Sequence, residues 1–158
     1  MIDKFKFIDL FAGIGGFRLA LENLGAHCVY TSEIDKNAQK TYVLNFKDKP
    51  YGDITLDEIK AKIPKDFDIL CGGFPCQAFS IAGLQKGFND SRGTLFFDIE
   101  QIVTKHRPKV VFLENVKNLA SHDKGRTYKT ICNILTDKLG YVVYAKIFDF
   151  LYNKKCYK

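Results

Sequence analysis

The chain alternates short apolar runs with longer segments in which apolar residues recur every three or four positions. The short runs predict β-strands and the longer segments predict α-helices, several of them bounded by glycine. The predicted strands are Phe5–Leu10, His27–Thr31, a short one at Pro50–Asp53, Phe67–Cys71, Lys109–Leu113 and Tyr141–Phe148, and the predicted helices are Gly16–Leu24, Lys36–Asn45, Thr94–Lys105 and Arg126–Leu139. Strands that alternate with helices predict an α/β fold with a mostly parallel sheet and helices on both faces.

The organisation of the chain predicts a single domain over residues 1–158, with 46% hydrophobic residues to form a core. One stretch, from Gly72 to about Gly93, fits neither a helix nor a strand. Long irregular loops are usually functional or disordered. We expect a mobile catalytic loop at about 74–93, with a disordered insertion as the alternative. No apolar run reaches the roughly 20 residues that span a bilayer. We therefore expect a cytoplasmic protein with no membrane partner.

Charge and cysteine content narrow the classes of partner and cofactor. The formal net charge of +6 is compatible with a polyanion such as nucleic acid, although a basic surface alone does not establish one. The five cysteines have no metal-like spacing and are odd in number. We therefore expect reduced thiols and no metal site.

A glycine-rich turn follows the first predicted strand, in the stretch D-L-F-A-G-I-G-G-F at residues 9–17. Gly13, Gly15 and Gly16 allow the backbone to turn tightly and to approach a ligand at a helix N-terminus. The stretch is not the dinucleotide fingerprint, because Arg18 stands where its third glycine would be. A purely structural turn remains an alternative at this point.

Two acidic residues at later strand ends suggest what this turn binds. Glu33 lies 20 positions after Gly13, where an acid can accept hydrogen bonds from both ribose hydroxyls of a nucleoside. A solvent-facing acid at a helix N-terminus is the alternative for this residue. Asp53 can accept from an adenine amine, although a turn or capping role suits it nearly as well. Together they predict a site for an adenosine-bearing ligand that needs no phosphate, and S-adenosylmethionine fits better than NAD or ATP.

Residues 72–80, G-G-F-P-C-Q-A-F-S, place Cys76 in a stiff turn. Pro75 fixes its own backbone and restricts Phe74. Glu114 ends the apolar run at residues 109–113, where we expect a buried acid. We predict that Cys76 and Glu114 share a cleft, with an inert cysteine and a helix-capping glutamate as the alternatives.

The stretches F-A-G-I-G-G-F, G-F-P-C-Q-A-F-S and E-N-V, in this order and spacing, closely resemble the DNA cytosine-5 methyltransferases. The resemblance covers the chain to about Asp149. It implies a Rossmann-like fold, S-adenosylmethionine as methyl donor with S-adenosylhomocysteine as product, and double-stranded DNA as substrate.

The resemblance also assigns roles to residues. It implies that Cys76 is the nucleophile that attacks C6 of cytosine, that Glu114 contacts N3 and the amino group of the base, and that Asn115 orders the Pro-Cys loop. The cofactor contacts that it implies are Phe11, Ala12, Gly13, Gly15, Glu33, Ile34, Asp53, Pro75 and Leu95. Within the catalytic loop, Gln77, Ser80 and Arg92 are the polar residues that we expect to close over a flipped nucleotide.

The chain departs from the family after Asp149. Family members continue with a Gln-x-Arg-x-Arg motif, a target-recognition region and a returning helix, whereas no arginine follows Arg126 here. We therefore expect a fold truncated before its last strand, with weak or no activity alone. A natural truncation, one half of a split enzyme completed by a second polypeptide, and an expressed fragment remain open.

Two other functions remain open from the sequence. One is a non-catalytic fragment that binds S-adenosylmethionine or a partner. The other is an RNA cytosine-5 methyltransferase, although that branch often has Pro-Pro-Cys where this chain has Phe74-Pro75-Cys76.

Overall fold

A computed structural model describes residues 4–75 and 95–148 of the chain. The fold divides into two compact units, Met1–Val116 and Lys117–Lys158. The predicted catalytic loop falls largely outside the described residues, as do Cys76, Gln77, Ser80 and Arg92.

The first unit is built on a parallel sheet of four strands in the order β2-β1-β3-β4. The strands are β1 (Lys6–Leu10), β2 (His27–Ser32), β3 (Ile69–Gly73) and β4 (Val110–Glu114). Central strands of a parallel sheet are covered on both faces, and the residues of β1 from Phe7 to Leu10 are accordingly all buried, the polar Asp9 among them. This sheet confirms the predicted α/β fold.

Within the described residues, four helices accompany the sheet: α1 (Gly16–Asn23), α2 (Lys36–Phe46), α3 (Asp57–Lys60) and α4 (Leu95–His106). The bounds of α1, α2 and α4 agree closely with the helices predicted from the apolar periodicity. The single-turn helix α3 was not predicted, because it is too short to show a period. The N-terminus of α2 is capped by Asp35, whose Oδ1 accepts hydrogen bonds from the N–H groups of Asn37 and Ala38 at 2.9 and 2.7 Å.

Two predicted strands are wrong within the described residues. The stretch Pro50–Asp53 forms only an isolated bridge between Tyr51 and Ser32. Residues 141–148 form neither a helix nor a strand. A strand exists only when a neighbouring strand supplies hydrogen bonds, and the alternating apolar pattern of this segment leaves Val142 and Tyr144 77% and 92% exposed.

The second unit contains two short 3-10 turns, Lys117–Ala120 and His122–Gly125, and the helix α5 (Arg126–Asn133), which continues as a wider π turn over Ile134–Lys138. The predicted helix Arg126–Leu139 is therefore confirmed in position. Its apolar face is buried at Ile131, Leu135 and Leu139. In the part of the chain that the structure describes, no helix is both long and apolar enough to cross a bilayer.

Candidate active site

The carboxyl ends of the four strands lie side by side at one edge of the sheet. Leu10 at the end of β1 is in register with Ser32 on one side and Gly72 on the other, and Gly73 is in register with Glu114. Ligands of parallel α/β sheets bind at this edge. The fold therefore brings the predicted motifs of the first unit to a common edge.

The loop between β1 and α1 depends on backbone conformations that favour glycine. Gly13 and Gly15 have φ angles of +56° and +96°, and Phe11 also has a positive φ of +58°. The loop is anchored where the N–H of Ala12 donates to the carbonyl of Ser32 at 2.9 Å. The two glycines differ in surroundings, because a Cβ on Gly13 would meet nothing within 4 Å, whereas one on Gly15 would lie 2.1 Å from the ring of Phe46.

Glu33 links this loop to the start of α2. Its Oε2 accepts a hydrogen bond from the N–H of Gly13 at 2.7 Å, and its Oε1 accepts one from the N–H of Asp35 at 2.7 Å. The backbone carbonyl of Glu33 accepts a further bond from the side-chain amide of Gln39. A carboxylate oxygen has two acceptor sites, so each oxygen of Glu33 retains one for a ligand. The neighbouring Ile34 is 62% exposed.

Asp53 forms a local turn. Its Oδ1 accepts from the N–H of Thr55 at 2.9 Å and from the hydroxyl of Thr55 at 2.8 Å. This is the turn role that the sequence left open beside the adenine contact. The bridge between Ser32 and Tyr51 holds this segment next to the end of β2.

The segment that leads to Cys76 is held by Asn115. The side-chain amide of Asn115 donates to the carbonyl of Phe74 at 2.6 Å. Phe74 is buried and Pro75 is exposed. The contact links the end of β3 to the end of β4. Leu95, half-buried, is the first residue of α4.

Glu114 is exposed, and the expectation of a buried acid is therefore wrong. The reason is that β4 lies at the edge of the sheet, where its residues alternate between exposed and half-buried. The carboxylate lies over Gly73, since a Cβ on Gly73 would come within 3.3 Å of Oε2 of Glu114. Glu114 therefore stands beside the strand that leads to Pro75.

Two thiols in the described residues, the half-buried Cys28 and the buried Cys71, lie in surroundings that disfavour the thiolate. Burial raises the pKa of the Cys28 thiol to about 12 and also raises the pKa of Cys71. Thiols with raised pKa values hold little thiolate and react slowly. The described residues contain no group of three or more side chains suited to hold a metal ion.

A buried carboxyl group lies beneath the glycine loop. Asp9 is fully buried in β1, and neither of its carboxyl oxygens has a hydrogen-bond partner at normal geometry among the described residues. Burial raises the pKa of Asp9 to about 7, while the backbone N–H of Arg18 acts in the opposite direction and the charge of Glu33 adds to the rise. The sequence indicated nothing of this, because Asp9 reads there as one polar residue in a strand.

Sequence reasoning also missed residues that support the site. Asp35 could have been found, since an aspartate directly before a helical pattern is typical of an N-cap. Gln39 and Arg18 could not have been found from a local pattern. The partner of Gln39 is a backbone carbonyl, and Tyr42 and Asp48, the partners of Arg18, are remote in sequence.

Comparison with known proteins identifies the class. A family model for C-5 cytosine-specific DNA methylase matches residues 5–152, so the chain belongs to that family. Membership implies S-adenosylmethionine as the methyl donor. The family and the fold predicted from the sequence are both confirmed.

The similar proteins are considerably longer than this chain. The type II methyltransferase M.HpaII of Haemophilus parainfluenzae is 67% identical over 141 residues, which are 89% of this chain and 39% of that protein. The type II methyltransferase M.HhaI of Haemophilus parahaemolyticus is 60% identical over 146 residues, or 92% of this chain and 44% of that protein. A crystal structure of an E. coli prophage protein described as a DNA modification methyltransferase has a TM-score of 0.64 at 28% identity and covers 85% of this chain and 38% of that one. The chain thus spans less than half of each.

Proposed function

We propose that this chain is the cofactor-binding and catalytic half of a DNA cytosine-5 methyltransferase that acts on double-stranded DNA. The observation that carries the proposal is the common sheet edge where the glycine loop, Glu33 and the Glu114–Asn115 pair meet the segment leading to Cys76. Family membership supplies the reaction type.

The residues at this edge fit S-adenosylmethionine. The open space beside Gly13 lets a ligand approach the backbone closely, and each oxygen of Glu33 keeps an acceptor site for a ribose hydroxyl. When bound, the cofactor supplies an electrophilic methyl group on a sulfonium sulfur. In this proposal the cofactor is held by Phe11, Ala12, Gly13, Gly15, Glu33, Ile34, Asp53, Pro75 and Leu95.

In this proposal Cys76 and Glu114 are the catalytic residues that contact the base. The thiolate of Cys76 forms a bond to C6 of a flipped cytosine, and Glu114 contacts N3 and the amino group, which stabilises the ring as electron density moves towards C5. After C5 is methylated, it loses its proton to a base, and the S–C6 bond breaks to return the thiolate. Gln77, Ser80 and Arg92 line the loop that closes over the base.

We further propose that activity requires the region that the longer relatives carry, present as a second polypeptide or as more of the same chain. Strand β4 supports this, because it is apolar in sequence on both faces yet lies at the edge of the sheet. Val110 and Phe112 are 48% and 52% exposed. Exposed apolar strand edges are normally covered by another strand or segment.

The cofactor role of Glu33 predicts the effect of Glu33→Gln. An amide has a single acceptor oxygen, and its NH₂ group would face the N–H of Gly13 or Asp35. We expect S-adenosylhomocysteine to bind at least tenfold more weakly by calorimetry, since a lost hydrogen bond to a charged group corresponds to roughly that factor. Glu58→Gln, at an exposed acid of α3, is the control and should bind normally. Equal affinity of E33Q and the unaltered chain would contradict the cofactor role.

The catalytic role of Cys76 predicts a covalent complex with duplex DNA that contains 5-fluorocytosine, since fluorine at C5 cannot leave as a proton does. We expect little adduct on a denaturing gel with this chain alone. Adding the part of M.HpaII that lies beyond the matched residues, together with DNA bearing that enzyme's own site, should produce one.

Four outcomes separate the proposals. An adduct that is lost in Cys76→Ser supports the nucleophile, whereas an adduct that persists in C76S contradicts it. A Cys76-dependent adduct with this chain alone contradicts the need for a second part. Cofactor binding without any adduct in the complemented mixture points to a non-catalytic binding role instead.

A further inference from the structure

Arg18 is the residue that ties the glycine-loop helix to the helix beside Glu33. It lies in the first turn of α1, three positions after Gly15, and its side chain is only 12% exposed. A guanidinium group is buried to this degree only when its donors are well paired. What it pairs with therefore indicates its role.

Most of its partners belong to α2 or to the residues just after that helix. One guanidinium nitrogen donates to the hydroxyl of Tyr42 at 3.0 Å and to Oδ2 of Asp48 at 2.8 Å, while Nε donates to Glu22 of its own helix at 2.9 Å. The guanidinium also lies 4.8 Å from the ring centre of Phe46. Planar pairing of this kind fixes direction as well as distance.

The two helices that Arg18 joins carry the two ends of the Glu33 bridge. The N–H of Gly13 lies in the loop that enters α1, and the N–H of Asp35 lies at the cap of α2; both donate to the Glu33 carboxylate. Phe46 also packs against Gly15. A shift of α1 against α2 would therefore stretch the bond between Gly13 and Glu33.

We propose that Arg18 is a positioning residue for the cofactor site, which sets the separation of α1 and α2 at which Glu33 bridges Gly13 and Asp35. The inference rests on the proposed cofactor role of Glu33, and it assigns a task to a residue that has no contact with the ligand in that proposal.

The test compares Arg18→Met and Arg18→Lys with Lys109→Met. The control removes a similarly short ion pair, from Lys109 to Asp68 at 2.6 Å, near the amino end of β4 and away from the site. Two quantities are measured: the Kd for S-adenosylhomocysteine, and the hydrogen-exchange protection of the Gly13 amide relative to amides of β1. The second needs no ligand.

We expect the Kd of R18M for S-adenosylhomocysteine to rise roughly tenfold and the protection of its Gly13 amide to fall roughly tenfold. A factor of this size corresponds to one weakened hydrogen bond to a charged group. R18K keeps the charge but not the planar fork, and should recover only part of the loss. K109M should change neither quantity. If R18M does not fold, R18K alone still reports on the Gly13 amide.

Unchanged Gly13 protection and unchanged Kd in R18M, even with a lowered melting temperature, would overturn the proposal and leave Arg18 a purely structural residue. Failure of the unaltered chain to bind S-adenosylhomocysteine would instead count against the proposed function. In that case the exchange measurement still decides the role of Arg18.

Discussion

Gly15→Ala should lower the free energy of unfolding by roughly 2–5 kcal/mol, about 1–2 from the left-handed backbone and about 1–3 from overpacking. Gly15 has a φ of +96°, and an added Cβ would lie 2.1 and 2.7 Å from two carbons of the Phe46 ring and 3.1 Å from the ring of Tyr42. Tyr42 is fully buried, so its ring has little room to move, and the half-buried ring of Phe46 would have to shift. Urea denaturation followed by circular dichroism measures the loss.

Gly13→Ala is the matched control for this substitution. Its φ of +56° imposes a similar backbone strain, but a Cβ there meets nothing within 4 Å. We therefore expect a loss of about 1 kcal/mol in stability, together with weaker binding of S-adenosylhomocysteine, because the methyl group would enter the space proposed for the ligand. Equal stability losses in G13A and G15A would show that the contact with Phe46 is not limiting.

Asp9 should make the protein less stable as the pH rises from about 4 to about 7. The pKa of this buried carboxyl is raised to about 7 from its ordinary value of 3.8. Below pH 4 both the folded and the unfolded chain hold the proton, so the group has no effect. Between these values the unfolded chain releases the proton while the folded chain retains it, and rising pH therefore favours unfolding. Above pH 7 the full penalty is present, on the order of 4 kcal/mol as an upper limit.

Asp9→Asn removes the titration at this position. We expect the advantage of D9N in unfolding free energy over the unaltered chain to grow by several kcal/mol between pH 4.5 and pH 8. Urea denaturation at intervals from pH 4.5 to 8 measures it. Asp66→Asn, at an exposed ion pair with Lys6, should leave the pH dependence nearly unchanged. Parallel curves for D9N and the unaltered chain would mean that Asp9 does not titrate in this range.

Predictions from the sequence succeeded where the signal is local. The strands at residues 6–10, 27–32, 69–73 and 110–114 follow from short apolar runs, and the helices after them follow from a 3.6-residue period. The tight glycine turn after β1 was also predicted, because positive φ angles favour glycine. The observed strand boundaries differ from the predicted ones by one or two residues. The ends of a strand depend on which residues of the neighbouring strand it hydrogen-bonds with.

Predictions failed where the outcome depends on residues far away in the chain. The apolar alternation of residues 141–148 is typical of a strand, yet a strand requires a hydrogen-bonded neighbour and the described residues form none there. Glu114 ends an apolar run, which suggested burial, but the order of strands places β4 at an edge and leaves the side chain exposed.

The sequence by itself determined the α/β architecture, the family and the identity of the candidate catalytic and cofactor residues. The reason is that the hydrophobic period, the glycines of tight turns and the spacing of motifs are all local features of a sequence. Only the tertiary structure decided that Glu33 bridges Gly13 and Asp35 and that Gly15 has no room for a methyl group. It also decided that Asp9 is buried with neither carboxyl oxygen hydrogen-bonded at normal geometry among the described residues, and that Arg18 joins α1 to α2. These are consequences of which residues meet across the fold, and hydrogen bonds and close packing exist only between groups that the whole chain brings together.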